Sequence, residues 1–291
     1  MSHKSTHLEN TRCIFYMVVA MAGFAIEDAI IKQLSNSMPI PQILILIGAG
    51  GLIAFLLAAS YQRIPLMSAE IRNPWFLIRS LCELAAAISF VTAIVHGSLS
   101  ISSAIIQATP LVVVVGGAFV LKQRVSSLKW VLVLIGFVGV LLVTQPGLEG
   151  FKPATLFAVA AVFFLAIRDI ITRSISASIP VITISFWAFV ASLSAGIITV
   201  PFFEPFQLPS SKDVLLVTAS VCTASLAYCA VVLATRAGEI SVVAPFRYTR
   251  LLFALGLSVV FFDENINALM LLGCAFIAAS GVLMLAVTQR Q

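Results

Sequence analysis

Apolar runs of about twenty residues recur along this 291-residue chain, and that spacing leaves few architectures open. A run of this length crosses the hydrocarbon of a bilayer as one helix, whereas a membrane barrel is built from alternating segments of about ten residues. In lipid, only helices and closed barrels satisfy every backbone polar group. Dividing the runs at polar residues, prolines and glycines predicts ten spans: 13–34, 40–60, 74–96, 99–121, 128–145, 153–174, 179–202, 211–236, 239–262 and 266–288. The expected fold is an all-α integral membrane protein with ten transmembrane helices. Residues of which 60% are hydrophobic and 10% charged exclude an ordinary soluble domain, where about a quarter are charged. The connections are short, and no long hydrophilic segment could house a soluble catalytic domain.

The charged residues orient the chain. With the N-terminus inside, Lys4, Arg12, Arg63, Arg72, Lys122, Arg124, Lys129, Arg173, Arg236 and Arg290 gather at one face. Lys32, Lys152 and Lys212 fall on the other, beside Glu149, Glu204, Asp213, Asp263 and Glu264. Lys and Arg concentrate in cytoplasmic loops, so both termini are expected in the cytoplasm and the chain in the cytoplasmic (inner) cell membrane. The net charge of +5 has the same explanation and does not point to nucleic acid. Lys4 and Arg12 before an apolar stretch resemble a signal peptide, but Glu27, Asp28 and Lys32 and the repeat below keep 13–34 as a mature helix after a cytoplasmic tail at 1–12. The five cysteines lie in apolar segments without a Cys-x-x-Cys pair, and the three histidines lack ligand spacing. No metal, cofactor or catalytic constellation is therefore expected, and the chain is not read as an enzyme.

An internal repeat divides the chain. Ala25-Ile-Glu-Asp-Ala-Ile-Ile-Lys32 leads into Ser37-Met-Pro39, and Ala166-Ile-Arg-Asp-Ile-Ile-Thr-Arg173 leads into Ser178-Ile-Pro180. One offset pairs Asp28 with Asp169, Lys32 with Arg173 and Pro39 with Pro180. Later, Gly136-Phe-Val-Gly139 is echoed around Gly281. The expected organisation is a five-helix repeat at 13–145, a linker at 146–152 and a second five-helix repeat at 153–288. Five is odd, so the second half enters the membrane inverted. Inverted repeats of this kind characterise secondary carriers that move a small-molecule substrate across the bilayer, with the site near the midplane.

Charged and amide side chains inside the spans are the candidate functional residues, because charge in hydrocarbon costs several kcal/mol unless it meets a partner or a wet cavity. At about 1.5 Å per residue, Arg247 lies roughly 12 Å and Arg250 roughly 16 Å into the ninth span. Pro245 can kink that span. Arg247, Tyr248 and Arg250 are expected either to bind a polar or anionic part of a substrate or to pair with buried acids. Arg79 and Glu83 share one face of the third span. Glu83, the deeper, is a candidate for a coupling proton or for pairing with Arg247 and Arg250. Glu27, Asp28, Arg168 and Asp169 are repeat mates, expected to close a face through ion pairs with Lys32 or Arg173, with gating as an extension. Gln107 aligns with Arg247, and Pro110 with Arg250, when Ala104 is matched to Ala244. Since that counterpart lacks both arginines, the cavity is expected to be polar on one side. Trp187 and Tyr228 lie mid-span, as packing or as stacking partners for a planar substrate. Gly48, Gly50, Gly51, Gly116, Gly117, Gly136 and Gly139 are expected at close helix approaches.

On Arg79, Pro110, Gly136-Phe-Val-Gly139 with Gln145-Pro-Gly147, and the two inverted halves, the chain resembles the EamA type of the drug/metabolite transporter superfamily. Pro245-Phe-Arg-Tyr248 is similar to the branch containing S-adenosylmethionine and riboflavin carriers. Asp263-Glu-Asn265 keeps the family's acidic turn after the ninth span, whereas Lys122-Gln-Arg124 replaces it after the fourth. The resemblance implies transport of a vitamin-, nucleoside- or amino-acid-like metabolite by alternating access. It also implies a central cavity lined by the first four helices of each half, with the fifth and tenth peripheral. The competing readings are a broad-specificity drug exporter of the same fold, a membrane-embedded enzyme, and a channel-like protein or scaffold. Direction of transport, coupling ion and oligomeric state are not encoded in any motif.

Overall fold

Pro39 and Pro180, the repeat mates, each cap a helix from the same extended conformation, with φ −68° and −61° and ψ 151° and 145°. The two halves therefore share a punctuation as well as an arrangement of spans. The computed structural model describes residues 7–67, 69–120, 126–145, 152–174, 179–237 and 243–289. Among these, the spans are α1 His7–Leu34, α2 Ile40–Gln62, α3 Pro74–His96, α4 Leu99–Ile106 with α5 Thr109–Val120, α6 Ser127–Thr144, α7 Thr155–Ser174, α8 Val181–Thr199, α9 Ser211–Ala237, α10 Thr249–Phe262 after a 3₁₀ turn Ala244–Tyr248, and α11 Ala268–Gln289. Nine segments of the described residues are long and apolar enough to cross a membrane, and Ala268–Met284 is a shorter apolar helix.

The boundaries depart from expectation in three places. α1 begins at His7, so helix extends into the stretch 1–12 read as a tail. The seventh span ends in a 3₁₀ turn, Val200–Phe202, because Pro201 cannot donate to a further α-helical bond. The fourth span is broken into α4 and α5 because Pro110 cannot donate to the carbonyl of Ile106, which the Thr109 hydroxyl takes instead at 2.6 Å. The ninth span carries the same hydroxyl bond at an offset of 140, though without a following proline: the Thr249 hydroxyl donates to the Phe246 carbonyl at 2.7 Å, beside the Thr249 amide, where the 3₁₀ turn becomes α10. The linker at 146–152 lies outside the described residues except at Lys152, as do Lys122, Gln123 and Arg124.

Packing follows the two-fold relation of an inverted repeat. α1 packs on α9 and its mate α7 on α3; α2 packs on its own mate α8, and α6 on α11. The pairs α1–α10 and α7 with α4/α5, and α3–α8 and α2–α9, complete the exchange. Small residues permit the self-mated contacts. A Cβ on Gly48 would lie 2.6 Å from the Leu193 amide nitrogen, and one on Gly139 would lie 2.8 Å from the Gly273 carbonyl. α6 and α11 thus form a pair of their own, packed against the remainder through one aliphatic cluster around Leu111, Leu132, Leu251 and Ile277.

One asymmetry stands against this order. At the face carrying loops 35–39, 97–98 and 263–267, expected to be external, Lys32 of α1 and Ser98 before α4 both meet Glu264 after α10, and α1 also touches α3 and α4. The corresponding approaches of α7 to α9 and α10 at the opposite face are not of comparable extent among the described residues.

Candidate functional site

Three polar layers lie along the bundle, and each joins the two halves. The layer nearest the N-terminal end of α3 is built on α3 and α7. Arg79 is 5% exposed; it donates through Nη2 to Glu83 at 3.3 Å and through Nε to the Thr172 hydroxyl at 3.1 Å. Glu83 accepts from Arg168 at 2.8 Å, and Arg168 donates to Asp169 through two nitrogens at 2.8 and 2.9 Å. Two guanidiniums and two carboxylates balance. They border a cavity of about 150 Å³ that Ser185 and Tyr228 also line.

The middle layer joins α10 to α1. Arg250 donates to Asp28 at 2.7 Å, and its guanidinium lies 5.3 Å from the Phe24 ring and 5.8 Å from that of Phe90. A cation between aromatic faces keeps favourable electrostatics after losing water. Tyr228 stands between the two layers, within electrostatic range of Glu83, Arg168, Glu27 and Arg79. Its ring is walled by Phe24, Phe55 and Phe189 at 5.2, 6.3 and 5.7 Å. At the two span breaks, the Gln107 amide donates to the Arg247 carbonyl at 3.0 Å, so the discontinuities of the fourth and ninth spans touch.

The layer at the opposite end is a clasp on Glu264, in the turn after α10. Its carboxylate accepts from Lys32 Nζ at 2.6 Å, from the Leu99 and Ser100 amides at 2.7 and 3.0 Å, and from the hydroxyls of Ser98 and Ser100. It therefore caps α4, where a negative charge complements the helix dipole. Burial pushes its carboxyl up, but the bonds from Lys32, Ser100 and Ser98 outweigh burial and hold it down at about 2. Ser37 donating to Asp213 at 2.7 Å, and Gln42 exchanging two hydrogen bonds with the Gln207 backbone at 2.7 and 2.9 Å, add bridges between the halves at the same face.

Several expectations change. Glu83 is held by Arg79 and Arg168, not by Arg247 or Arg250. Asp28 meets Arg250, and Lys32 meets Glu264, so the pairing of Asp28 with Lys32 does not form. The Arg173 side chain lies outside the described residues. Polar groups enter from both halves, because Asp28, Arg79, Glu83 and Gln107 all belong to the first. Glu27 has no direct hydrogen bond or ion pair among the described residues. Tyr248 is 8% exposed; its ring packs on Gly281, where a Cβ would overlap the hydroxyl, so it faces α11. Trp187 donates to the Leu66 carbonyl at 3.2 Å and packs edge-on to Phe76 at 6.0 Å, which ties α8 to the loop before α3. Glu264, Thr172 and the Thr109/Thr249 pair were not among the candidates read from the sequence. The threonines were findable, since the Ala104/Ala244 overlay aligns them.

The chain matches the EamA-like transporter family twice, over residues 11–145 and 152–286. It is similar to a riboflavin transporter of Vibrio cholerae, 27% identical over 150 residues, covering 51% of this chain and 49% of that one. An S-adenosylmethionine uptake transporter of Rickettsia conorii is 22% identical over 189 residues, 65% and 63% of the two chains. A riboflavin transporter of Rhizobium johnstonii is 23% identical over 262 residues, 84% and 82%. The chain thus spans about half the length of the Vibrio protein and less than two thirds of the Rickettsia one. A solved crystal structure shares the fold at a TM-score of 0.65 and 16% identity, covering 98% of this chain and 99% of its own. With both halves matched and the helices packed as exchangeable sets, this multi-pass membrane protein is a member of the EamA-like transporter family.

Proposed function

We propose that the protein is a secondary carrier of a small organic metabolite in the cytoplasmic membrane, with both termini inside, working by alternating access. The observation that carries this reading is the stack of polar layers between two inverted halves. Charge buried at such depth is costly unless it is paired or meets water, and clusters of it inside a bundle mark paths for polar solutes. The outer clasp on Glu264 and the outer approaches of α1 to α3 and α4 support a state closed outside. The weaker inner approaches support access from the cytoplasm. Riboflavin and S-adenosylmethionine, named for the relatives, are the first candidate substrates, and vitamins, nucleosides and amino acids follow.

Arg250, Asp28, Tyr228 and the Arg79–Glu83–Arg168–Asp169 cluster form the proposed binding region, with Gln107 and Arg247 at the span breaks. The test is uptake and efflux of a metabolite panel in cells and proteoliposomes. Saturable flux that is lost on Arg250→Ala, with the variant still in the membrane, is the expected result. Normal flux in that variant would refute the assignment of the site. Repeating the assay with and without a proton gradient, in the wild type and in Glu83→Gln, tests whether Glu83 takes part in coupling. A 150 Å³ cavity is too small for either candidate substrate, so the reading requires the cavity bordered by Glu83 and Tyr228 to widen on binding.

A further inference from the structure

We infer that Arg247 is a docking point for an anionic group of the substrate, a carboxylate or a phosphate. This rests on the carrier reading above and assigns the chemical class of its substrate. Four arginines lie deep in the described spans, and three have carboxylate partners: Arg79 with Glu83, Arg168 with Glu83 and Asp169, and Arg250 with Asp28. Arg247 has no ion pair among the described residues and is exposed. Asp169, an acid within its electrostatic range, already receives two nitrogens of Arg168.

The exposure of Arg247 is not to lipid. On α10 the lipid stripe is marked by Leu252 (67% exposed), Val259 and Val260, and the opposite, buried side by Leu251, Ala254 and Ser258. Carrying that register back, at about 100° per residue along α10 and about 120° per residue through the 3₁₀ turn, puts Arg247 roughly half a turn round from the stripe, on the side of Arg250. Arg168 and Asp169 on α7 lie in its electrostatic range. A guanidinium on an inward face, at intramembrane depth and without a carboxylate, lines a wet space. The bond from Gln107 to its carbonyl fixes the backbone at the break, while its side-chain donors have no acceptor among the described residues. Planar, paired donors suit a carboxylate or phosphate, and charge-assisted bonds of this type are about twice as strong as neutral ones.

The test uses matched probes that differ only in the anion: S-adenosylmethionine against its decarboxylated form, and riboflavin 5′-phosphate against riboflavin. Binding to the purified full chain is measured by thermal shift, and transport in proteoliposomes. The acid member of at least one pair is expected to bind at least 10-fold more tightly, a preference that collapses to about twofold in Arg247→Gln and is partly kept in Arg247→Lys. Equal binding of both members, or a preference that survives Arg247→Gln, overturns the anion site while leaving the carrier reading intact. Should Arg247→Gln fail to fold, Arg247→Lys and the wild-type preference decide: an unchanged ratio in Arg247→Lys, like equal wild-type binding, overturns the site. Anion-selective binding without transport of any probe would instead refute the carrier reading and keep the site. No binding of any probe refutes both.

Discussion

Replacing Glu264 by Gln should open the external face. The Glu264 side chain is 12% exposed and gathers one ammonium, two backbone amides and two hydroxyls. Its carboxyl lies at about 2 against an ordinary 4.5, a difference worth about 3 kcal/mol at 1.36 kcal/mol per pH unit. Because the value is lowered in the clasped state, the stabilisation is complete above about 4.5 and is lost as pH falls through about 2. The clasp should therefore hold unchanged between pH 5 and 8. A glutamine keeps some hydrogen bonds but loses the charge shared with Lys32 and the α4 N-terminus, so the open population should rise by up to roughly 100-fold. The assay places a cysteine at Ser103, which is fully buried on α4, in an otherwise cysteine-free chain, and measures labelling by an impermeant thiol reagent from outside. A labelling rate in Glu264→Gln within twofold of the parent would refute the role of the clasp.

Asp28→Asn leaves Arg250 without its carboxylate and should destabilise the protein by about 3 kcal/mol, read as a lower unfolding temperature in detergent. Gly139→Leu should separate α6 from α11, since even a Cβ there lies 2.8 Å from the Gly273 carbonyl; expression and unfolding temperature should both fall sharply. Thr109→Val and Thr249→Val each remove a hydroxyl bond to the carbonyl three residues earlier at a span break. Each should cost about 1 kcal/mol in thermal stability, and similar losses in the two variants would confirm that the breaks are equivalent.

The number of spans and the repeat were legible because hydropathy and proline punctuation act locally: Pro39 and Pro180 cap their helices where the offset aligns them. The break in the fourth span was not read, although Pro110 was in view. A proline removes the amide that would meet the carbonyl four residues earlier, and how the helix continues depends on what replaces it; here the Thr109 hydroxyl meets the Ile106 carbonyl. The candidate charges were correctly placed inside the spans, but their partners depend on rotations between distant helices. Asp28 and Arg250 are 222 residues apart, and Lys32 and Glu264 are 232 apart. Composition shows that such charges can balance without showing which pairs form. Tyr248 illustrates the limit most sharply: its neighbours in sequence are polar, yet its ring fills the space that Gly281 vacates.

The central claim, that one polar path is exposed alternately to the two faces, is tested most directly by counterflow. Proteoliposomes loaded with unlabelled substrate and diluted into labelled substrate should show transient accumulation above equilibrium, saturating with concentration and absent in Arg250→Ala. Flux that rises linearly with concentration and ignores substrate on the far side would contradict the account and indicate a channel.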